Sequence, residues 1–308
     1  MIKAPVAVFV YNRLDNTRQT IEHLGRNEGA QHTDVFVFSD GGKDEASWHK
    51  VNEVREYLHE LAENHGFKSL TLVERPENFY LERNITEGIA EVFQRYDRII
   101  VLEDDICTSP FFLDYMNRAF DLYQDVPRVM HVSGFTNLSV EAPAFYFTPH
   151  MSGWGWGTWR DRWQQYFKHF GSREEALRGM TPADENRMQY GGVFPCLKSL
   201  DKRPIPWDIC WEIAIYKAQG LCITPGHTMV RNIGLKQGTH FRSFDFLQHY
   251  EFDREPWQQP IPLTQILQPE TDPRLEGLFA DAIRDWGIRY TFLGRIIRFL
   301  YKKMVKKT

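Results

Sequence analysis

The chain has 308 residues, of which 42% are hydrophobic and 25% charged, which is enough apolar material for one large globular domain. This composition argues against disorder, and the net charge of −4 argues against a general nucleic-acid binder. The N-terminus lacks a signal-peptide pattern, and no apolar run reaches the length of a transmembrane helix. The four cysteines have no metal-ligand spacing, so we expect a reducing, cytoplasmic location.

Strands and helices are predicted to alternate along the first third of the chain. Short apolar runs predict four strands, at Val6–Tyr11, Asp34–Ser39, Leu70–Glu74 and Arg98–Leu102. Apolar residues spaced three and four apart predict the helices between them, one ending near Gly66 and one running from Glu82 to Arg95. This alternation predicts an α/β fold with a mostly parallel sheet flanked by helices, in which ligands bind beyond the carboxyl ends of the strands.

Polar groups follow three of the predicted strands directly. They are Asn12-Arg13, Asp40-Gly41-Gly42 and Glu103-Asp104-Asp105, hereafter the acidic triplet. Three adjacent acids at the end of a buried strand repel one another unless a cation or hydrogen-bond donors offset them. Mg²⁺ and Mn²⁺ prefer carboxylate oxygens and keep several waters, which leaves room for a diphosphate. The alternative is a solvated acidic turn at the start of the next helix.

The segment around the acidic triplet carries a family resemblance. Ile99–Asp105, followed by Ser109–Phe112, resembles the metal-binding motif of GT-A glycosyltransferases, in particular the N-acetylglucosaminyltransferase I-like group and its bacterial relatives. The resemblance implies a GT-A fold in which Asp105 binds Mn²⁺ (or Mg²⁺). It also implies that Glu103 and Asp104 face the uridine and ribose of a UDP-sugar.

Two earlier segments resemble donor-binding strands of the same group. They are Pro5–Arg13 and Phe36–Gly41, and the resemblance makes Asn12, Arg13 and Asp40 nucleotide contacts. The residues alone leave a second interpretation open, in which Asn12-Arg13 caps a helix and Asp40 forms a turn.

Arg83 and Asn84 stand near the start of a predicted helix, after the aromatic pair Phe79-Tyr80. A cation and free backbone N–H groups at a helix N-terminus favour an anionic diphosphate, so both are candidate donor contacts. The alternative is a solvent-exposed arginine.

Tryptophans and glycines alternate in Ser152–Trp159, and the flat rings of this segment suit the faces of sugars. Bacterial members of the group carry a similar Gly-Trp-Gly stretch beneath the two sugars. Trp154, Gly155 and Trp156 are therefore candidate substrate contacts, with a tightly packed core cluster as the alternative.

Asp208 and Glu212 lie four residues apart in Pro206–Glu212, so they share one face of a helix that begins at the proline. In inverting members of the group, an aspartate in a comparable Trp-Asp segment deprotonates the acceptor hydroxyl. The resemblance assigns that role to Asp208, with Glu212 in reserve, and the alternative for Asp208 is a helix cap.

The segment Asn232–His240 resembles a glycine-flanked loop near the donor phosphates in bacterial members. It makes His240 a second metal ligand or a diphosphate contact, and it makes Lys236 a cation that neutralises the leaving group. The alternative for His240 is a structural histidine.

The C-terminal tail, residues 288–308, mixes apolar positions with seven basic residues and no acidic one. This pattern predicts a basic amphipathic helix lying on an anionic membrane surface. The alternative is a helix that docks on the acidic body of the protein itself.

These observations predict a GT-A domain over 1–287, with a nucleotide-binding half (1–105) and an acceptor-binding half (106–287), followed by the tail. The predicted activity is metal-dependent, inverting transfer from a UDP-sugar, first UDP-N-acetylglucosamine, to a saccharide or lipid-linked saccharide. The predicted setting is bacterial surface polysaccharide or lipopolysaccharide synthesis at the inner face of the cytoplasmic membrane. The alternatives are a sugar nucleotidyltransferase and a non-catalytic carbohydrate-binding protein.

Overall fold

A computed structural model describes residues 3–138, 143–234 and 254–288. Lys236 and His240 lie outside the described residues, as does the predicted tail except for Ile288. In the part of the chain that is described, no helix is both long and apolar enough to cross a membrane.

Ten strands are described, and eight of them form the central sheet. They are β1 (Val6–Val10), β2 (Asp34–Ser39), β3 (Ser69–Glu74), β4 (Arg98–Glu103), β5 (Ile106–Thr108), β6 (Val129–Ser133), β7 (Phe145–Thr148), β8 (Trp156–Trp159), β9 (Leu221–Pro225) and β10 (Val230–Asn232). The order in the sheet is β3-β2-β1-β4-β8-β6-β9-β7, and β5 pairs with β10 beside it. The sheet takes strands from both predicted halves of the chain.

Strand direction determines where the site forms. The first four strands are parallel, and β8 pairs antiparallel with both β4 and β6. Strand β6 therefore runs parallel to β4, and β9 runs parallel to β6. As a result, β1, β2, β4, β6 and β9 all end at the same edge of the sheet.

Helices cover both faces of the sheet because its buried strands are apolar on both sides. They are α1 (Leu14–Gly25), α2 (Glu45–Glu63), α3 (Tyr80–Val92), α4 (Phe112–Tyr123), α5 (Arg160–Tyr166), α6 (Arg173–Leu177), α7 (Pro182–Met188), α8 (Trp207–Lys217) and α9 (Pro273–Ile288). Helices α1, α2 and α4 pack on the face that includes Val6 and Val8. Helices α3, α5 and α8 pack on the face that includes Ala7 and Phe9.

The predicted α/β architecture is confirmed, and all four predicted strands are present. Helix ends differ from the predictions. Helix α2 ends at Glu63, where Asn64 rather than Gly66 is the capping residue. Helix α3 runs from Tyr80 to Val92, so it begins two residues and ends three residues earlier than predicted.

Candidate active site

A cleft of about 1840 Å³ opens at the edge where the parallel strands end. Its lining includes residues from each of the polar groups that follow a predicted strand. The predicted site residues in this lining are Asn12, Arg13, Asp40, Asn84, Glu103, Asp104, Asp105, Trp154 and Asp208. The fold thus gathers into one cleft residues that lie up to two hundred positions apart in the sequence.

Arg13 binds two carboxylates of the acidic triplet. Its guanidinium forms an ion pair with Asp104, with Nε 3.2 Å from Oδ2, and its Nη2 lies 3.0 Å from Asp105 Oδ2. Arg13 is the residue before α1, yet its side chain caps nothing there. The side chain is therefore committed to the acidic triplet and not to the helix-capping role that the sequence left open.

Burial makes the acidic triplet costly to ionise. It raises the pKa of Asp104 to about 6 and also raises the pKa of Asp105, although Arg13 opposes both shifts. The pKa of Glu103 rises well above its usual value through burial and then through repulsion from Asp105 and Asp104. One arginine therefore only partly offsets the charge of three carboxylates.

The backbone of Ile233 and Gly234 packs closely against Asp105. Ile233 N donates to Asp105 O at 2.8 Å, and the next residue, Gly234, faces the carboxylate. A Cβ atom at Gly234 would lie 2.0 Å from Asp105 Oδ2 and 2.9 Å from an Arg13 nitrogen. The glycine is thus required by space beside the acidic triplet and not by backbone conformation.

Asp40 lies at the end of β2, where it is hydrogen-bonded and buried. Its Oδ1 accepts from Gly41 N at 2.9 Å and from Phe79 N at 2.7 Å. Burial nevertheless raises its pKa. Next to it, Tyr80 has a φ of 59°, which is rare for a bulky residue, and its side chain is 62% exposed in the cleft lining. The sequence pattern did not single out this ring.

Asp208 lies in the first turn of α8 and lines the same cleft as the acidic triplet. Its Oδ1 accepts from Ile209 N at 2.7 Å, so it satisfies a free N–H group in the first turn of α8, while Pro206 holds the N-cap position. It is exposed to the cleft, yet the surrounding walls displace enough water to raise its pKa. Both Asp208 and Glu103 line the cleft, and repulsion from Asp208 contributes to the raised pKa of Glu103.

Glu82 was not predicted as a site residue, and it contacts the start of α8 next to Asp208. Its carboxylate accepts a hydrogen bond from Trp207 N, the first backbone N–H of α8. Burial raises the pKa of Glu82 to about 7, and repulsion from Asp208 adds to this shift. The sequence gives no signal for such a contact, because α3 and α8 are more than a hundred residues apart.

Replacing Glu82 with Gln should remove a pH-dependent cost in stability. A folded-state pKa of about 7 lies above the unfolded value of 4.5, so wild-type stability falls as pH rises through this window. Gln keeps the acceptor for Trp207 N and cannot ionise. We expect the advantage of E82Q in unfolding free energy to grow by about 1–2 kcal/mol between pH 5 and pH 8, after a discount for partial exposure.

Urea unfolding at the two pH values measures this difference, with E60Q on the exposed face of α2 as the matched control. A pH dependence of E82Q equal to that of wild type would contradict the prediction.

Among the described residues, four predicted site residues do not line the cleft. Arg83 is exposed, lies 3.6 Å from the centre of the Phe79 ring, and pairs with Glu77 and Glu87. Glu212 is buried, where its oxygens bind His150 and Met151 N. These contacts give the donor-binding role of Arg83 and the reserve role of Glu212 no support, and both stay predictions.

The other two belong to the tryptophan segment. Trp156 is fully buried and stacks between His131, at 5.2 Å, and Trp207, at 4.9 Å. Gly155 has a φ of 59° and packs against Val230. Of the predicted sugar contacts in this segment, the structure brings Trp154 into the cleft lining and places Gly155 and Trp156 in packed surroundings.

Among the described residues, no group of three or more His, Cys, Asp or Glu side chains converges as metal ligands do. Mg²⁺ and Mn²⁺ often take only one or two protein carboxylates and complete their shell with phosphate oxygens and water. A cation of this kind fits the acidic triplet, because Arg13 offsets its negative charge only in part. It also fits the close approach of Gly234 to Asp105.

Comparison with known proteins identifies the family. A model of the GNT-I family matches residues 1–169, which is more than half of the chain. The chain therefore belongs to the GNT-I family and is a glycosyltransferase. No curated protein matches the chain in sequence.

Solved structures with a similar arrangement are distant in sequence. The mannosyltransferase PcManGT from Pyrobaculum calidifontis, in complex with GDP-Man and Mn²⁺, is 15% identical with a TM-score of 0.37, covering 70% of this chain and 74% of that one. A putative nucleotide-diphospho-sugar transferase from Desulfovibrio desulfuricans G20 is 12% identical with a TM-score of 0.33, covering 53% and 65%. The glycosyltransferase GlyE from Streptococcus pneumoniae TIGR4 is 10% identical with a TM-score of 0.32, covering 53% and 36%.

Proposed function

We propose that this member of the GNT-I family transfers a sugar, with inversion, from a UDP-sugar to a saccharide or lipid-linked saccharide. UDP-N-acetylglucosamine is the first candidate donor. The observation that carries the proposal is the acidic triplet at the end of β4, which opens into the same cleft as Asp208. The alternative of a carbohydrate-binding protein that reads sugars through the tryptophan segment alone leaves this crowded group of acids unexplained.

The donor occupies the half of the cleft formed by β1, β2 and β4. Asp40 and the exposed ring of Tyr80 receive the base, and the acidic triplet lies beside the ribose and the diphosphate. Base stacking on an exposed aromatic ring stabilises a nucleotide without reading its identity. Hydrogen bonding to a carboxylate such as Asp40 supplies the selection.

Asp105 holds Mn²⁺ or Mg²⁺ in this proposal, and the ion neutralises charge on the departing nucleoside diphosphate. Arg13 adds a fixed positive charge beside Asp105, with its Nη2 3.0 Å from Asp105 Oδ2. Burial alone would lower the pKa of Arg13, but Asp104 and Asp105 outweigh it, so the guanidinium stays charged at any physiological pH.

Asp208 takes the proton of the acceptor hydroxyl. A general base must be ionised yet close in pKa to the working pH, and the raised pKa of Asp208 moves it in that direction. Its position on α8, in the same cleft as the acidic triplet, is compatible with attack from the side opposite the nucleotide. That arrangement gives inversion at the anomeric carbon.

We place the protein at the inner face of a bacterial cytoplasmic membrane, in the assembly of surface polysaccharide or lipopolysaccharide. The support is the basic, amphipathic sequence of residues 288–308, which lie outside the described residues apart from Ile288. Loss of membrane recovery on deletion of 289–308 tests this location directly.

The activity itself is tested by incubating the full chain with Mn²⁺ and a panel of UDP-sugars and GDP-mannose. Slow donor hydrolysis in the absence of acceptor reports the donor that fits. Release of UDP supports the proposal, whereas release of GDP alone would show that the donor is GDP-mannose and not a UDP-sugar. Formation of UTP and sugar 1-phosphate after addition of pyrophosphate indicates a nucleotidyltransferase, and turnover in neither assay indicates a binding protein.

Replacing Gly234 with Ala tests the position of Asp105 without touching its chemistry. The added methyl would lie 2.0 Å from Asp105 Oδ2, so the carboxylate must move. Disturbing the support of a metal ligand weakens metal affinity by about 10–100-fold, and we expect a loss of this size for Mn²⁺ in the presence of UDP.

Isothermal titration of Mn²⁺ into protein saturated with UDP measures the change. G66A is the matched control, since nothing lies within 4 Å of a Cβ atom there. Unchanged Mn²⁺ affinity in G234A would show that Asp105 is not the ligand.

A further inference from the structure

We propose that the second half of the cleft, at the ends of β6 and β9, is a subsite for an uncharged sugar unit of the acceptor. The proposal rests on the proposed function and adds to it the chemical class of the acceptor. It also assigns residues to the acceptor that no sequence motif marks.

The subsite lies at a defined place in the sheet. Val132 of β6 pairs with Ile223 of β9, so the next residues, Ser133 and Thr224, stand side by side where the two strands end. Thr224 also pairs with Tyr146 of the edge strand β7. Because alternate residues of a strand share a face, these three side chains lie on the face opposite the Ile223 side chain, and all three line the cleft.

Three polar atoms of this half have no hydrogen-bond partner among the described residues. They are Ser133 Oγ, Thr224 Oγ1 and Asn137 Oδ1. Ser133 is 1% exposed and Thr224 is 4% exposed, so bulk water reaches neither side chain freely. Buried polar groups are almost always satisfied, and a ligand rich in hydroxyl groups supplies both donors and acceptors for such atoms.

His150 adds a fourth polar atom and is rigidly held. Its Nδ1 binds Glu212 Oε1, and Glu212 Oε2 accepts from Met151 N at 2.9 Å. The pairing leaves Nε2 as the atom that remains to bind a hydroxyl group. Phe279 of α9 stacks parallel to the imidazole at 5.6 Å, and both rings line the cleft. The contacts of Glu212, which do not support a role as base, are explained by this positioning of His150.

The character of the lining selects an uncharged sugar. Hydroxyl and amide groups alternate here with the rings of Tyr146, Phe194 and Phe279, which suits the mixed polar and apolar faces of a hexose. Among the described residues, Arg254 is the cationic side chain that lines this half of the cleft. Its guanidinium donates to Leu138 O at 2.9 Å. Asp208, which lines the same cleft, would repel a sugar that bears a carboxylate or a phosphate.

The spacing from the donor half is also suitable. Strands β4 and β6 are separated by β8 alone, and neighbouring strands lie about 4.8 Å apart, so their ends are about 10 Å apart. That distance leaves room for the transferred sugar between the acidic triplet and the acceptor unit.

Saturation-transfer NMR on the full chain with Mn²⁺ and UDP tests the subsite. The probes are the p-nitrophenyl glycosides of glucose, galactose, mannose, N-acetylglucosamine and glucuronic acid. The test variant is S133A/T224V, which removes two hydroxyl groups without leaving a partner unsatisfied. T33V is the matched control, since Thr33 is equally buried but lies at the opposite edge of the sheet, where it donates to Gly29 O at 2.9 Å.

We expect at least one neutral glycoside to give a signal that falls at least fivefold in S133A/T224V and persists in T33V. Absence of binding by any neutral glycoside, equal binding by the double variant, or preference for the glucuronide would each overturn the subsite. If the double variant does not fold, S133A alone is held to the same criterion.

UDP titration in the same samples separates the two proposals. Intact UDP binding without glycoside binding overturns the subsite and leaves the proposed function standing. Failure of the wild-type chain to bind UDP and Mn²⁺ overturns the proposed function itself.

Discussion

Asp208→Asn is expected to lower kcat by about 10²–10⁴-fold while leaving donor affinity unchanged. This is the range that loss of a general base produces, and Asn cannot accept the proton of the acceptor hydroxyl. The substitution preserves shape, and the amide oxygen keeps the acceptor for Ile209 N that Asp208 Oδ1 provides at 2.7 Å. A large loss of turnover would therefore reflect chemistry and not a displaced helix.

The pH dependence of turnover gives a second measure of the same prediction. Because the surroundings raise the pKa of Asp208, wild-type kcat should fall as pH decreases through that raised value, and D208N should lose this limb of the profile. D125N, on an exposed loop after α4, is the matched control. Turnover in D208N within tenfold of wild type would remove Asp208 from the catalytic role.

The nucleotide-binding part of the fold was predictable because its strands are buried on both faces. Such strands form continuous apolar runs, as in Val6–Val10 and Asp34–Ser39, and they are bounded by polar turns that mark where each strand ends. The same turns contain the site residues. The sequence thus indicated one edge of the sheet and its polar groups together.

Strand β8 was not predicted, because its glycines and tryptophans resemble an exposed loop. In the fold it inserts antiparallel between β4 and β6, and Gly157 permits that approach. A Cβ atom at Gly157 would lie 2.5 Å from Ile99 O and 2.6 Å from Phe120 Cζ. The glycines therefore serve close packing, and Trp156 belongs to the core that the sequence left as an alternative.

The contacts between distant elements could not be read from the sequence. Glu82 reaches the N-terminus of α8, and Glu212 orients His150, through pairings that depend on how the helices pack across the sheet. Periodicity predicts the face on which a residue lies but not which partner meets that face. For this reason the acidic triplet was identified from sequence, whereas the support of Asp208 was not.

Replacing Asp105 with Asn should reduce turnover by about a thousandfold while leaving the metal-free protein at least as stable as wild type. A bound metal supplies several kcal/mol of charge stabilisation to the leaving group, and each 1.36 kcal/mol changes the rate tenfold. The expected effect on stability has the opposite direction. Burial raises the folded-state pKa of Asp105, so ionisation at neutral pH costs stability that an uncharged amide does not lose.

These two effects distinguish a metal ligand from a structural acidic turn. If Asp105 only anchored Arg13, D105N would melt at a lower temperature in EDTA, and activity would fall in proportion to the folded fraction. If it binds the metal, D105N retains its melting temperature in EDTA but loses the stabilisation that Mn²⁺ with UDP gives to the wild type. D34N is the matched control, because Asp34 pairs with Lys68 at the opposite edge of the same sheet. If the carboxylates bind metal at the expense of stability, D105N should lose the stabilisation by Mn²⁺ and keep its melting temperature in EDTA. The reason is that the charges that hold the cation repel one another without it.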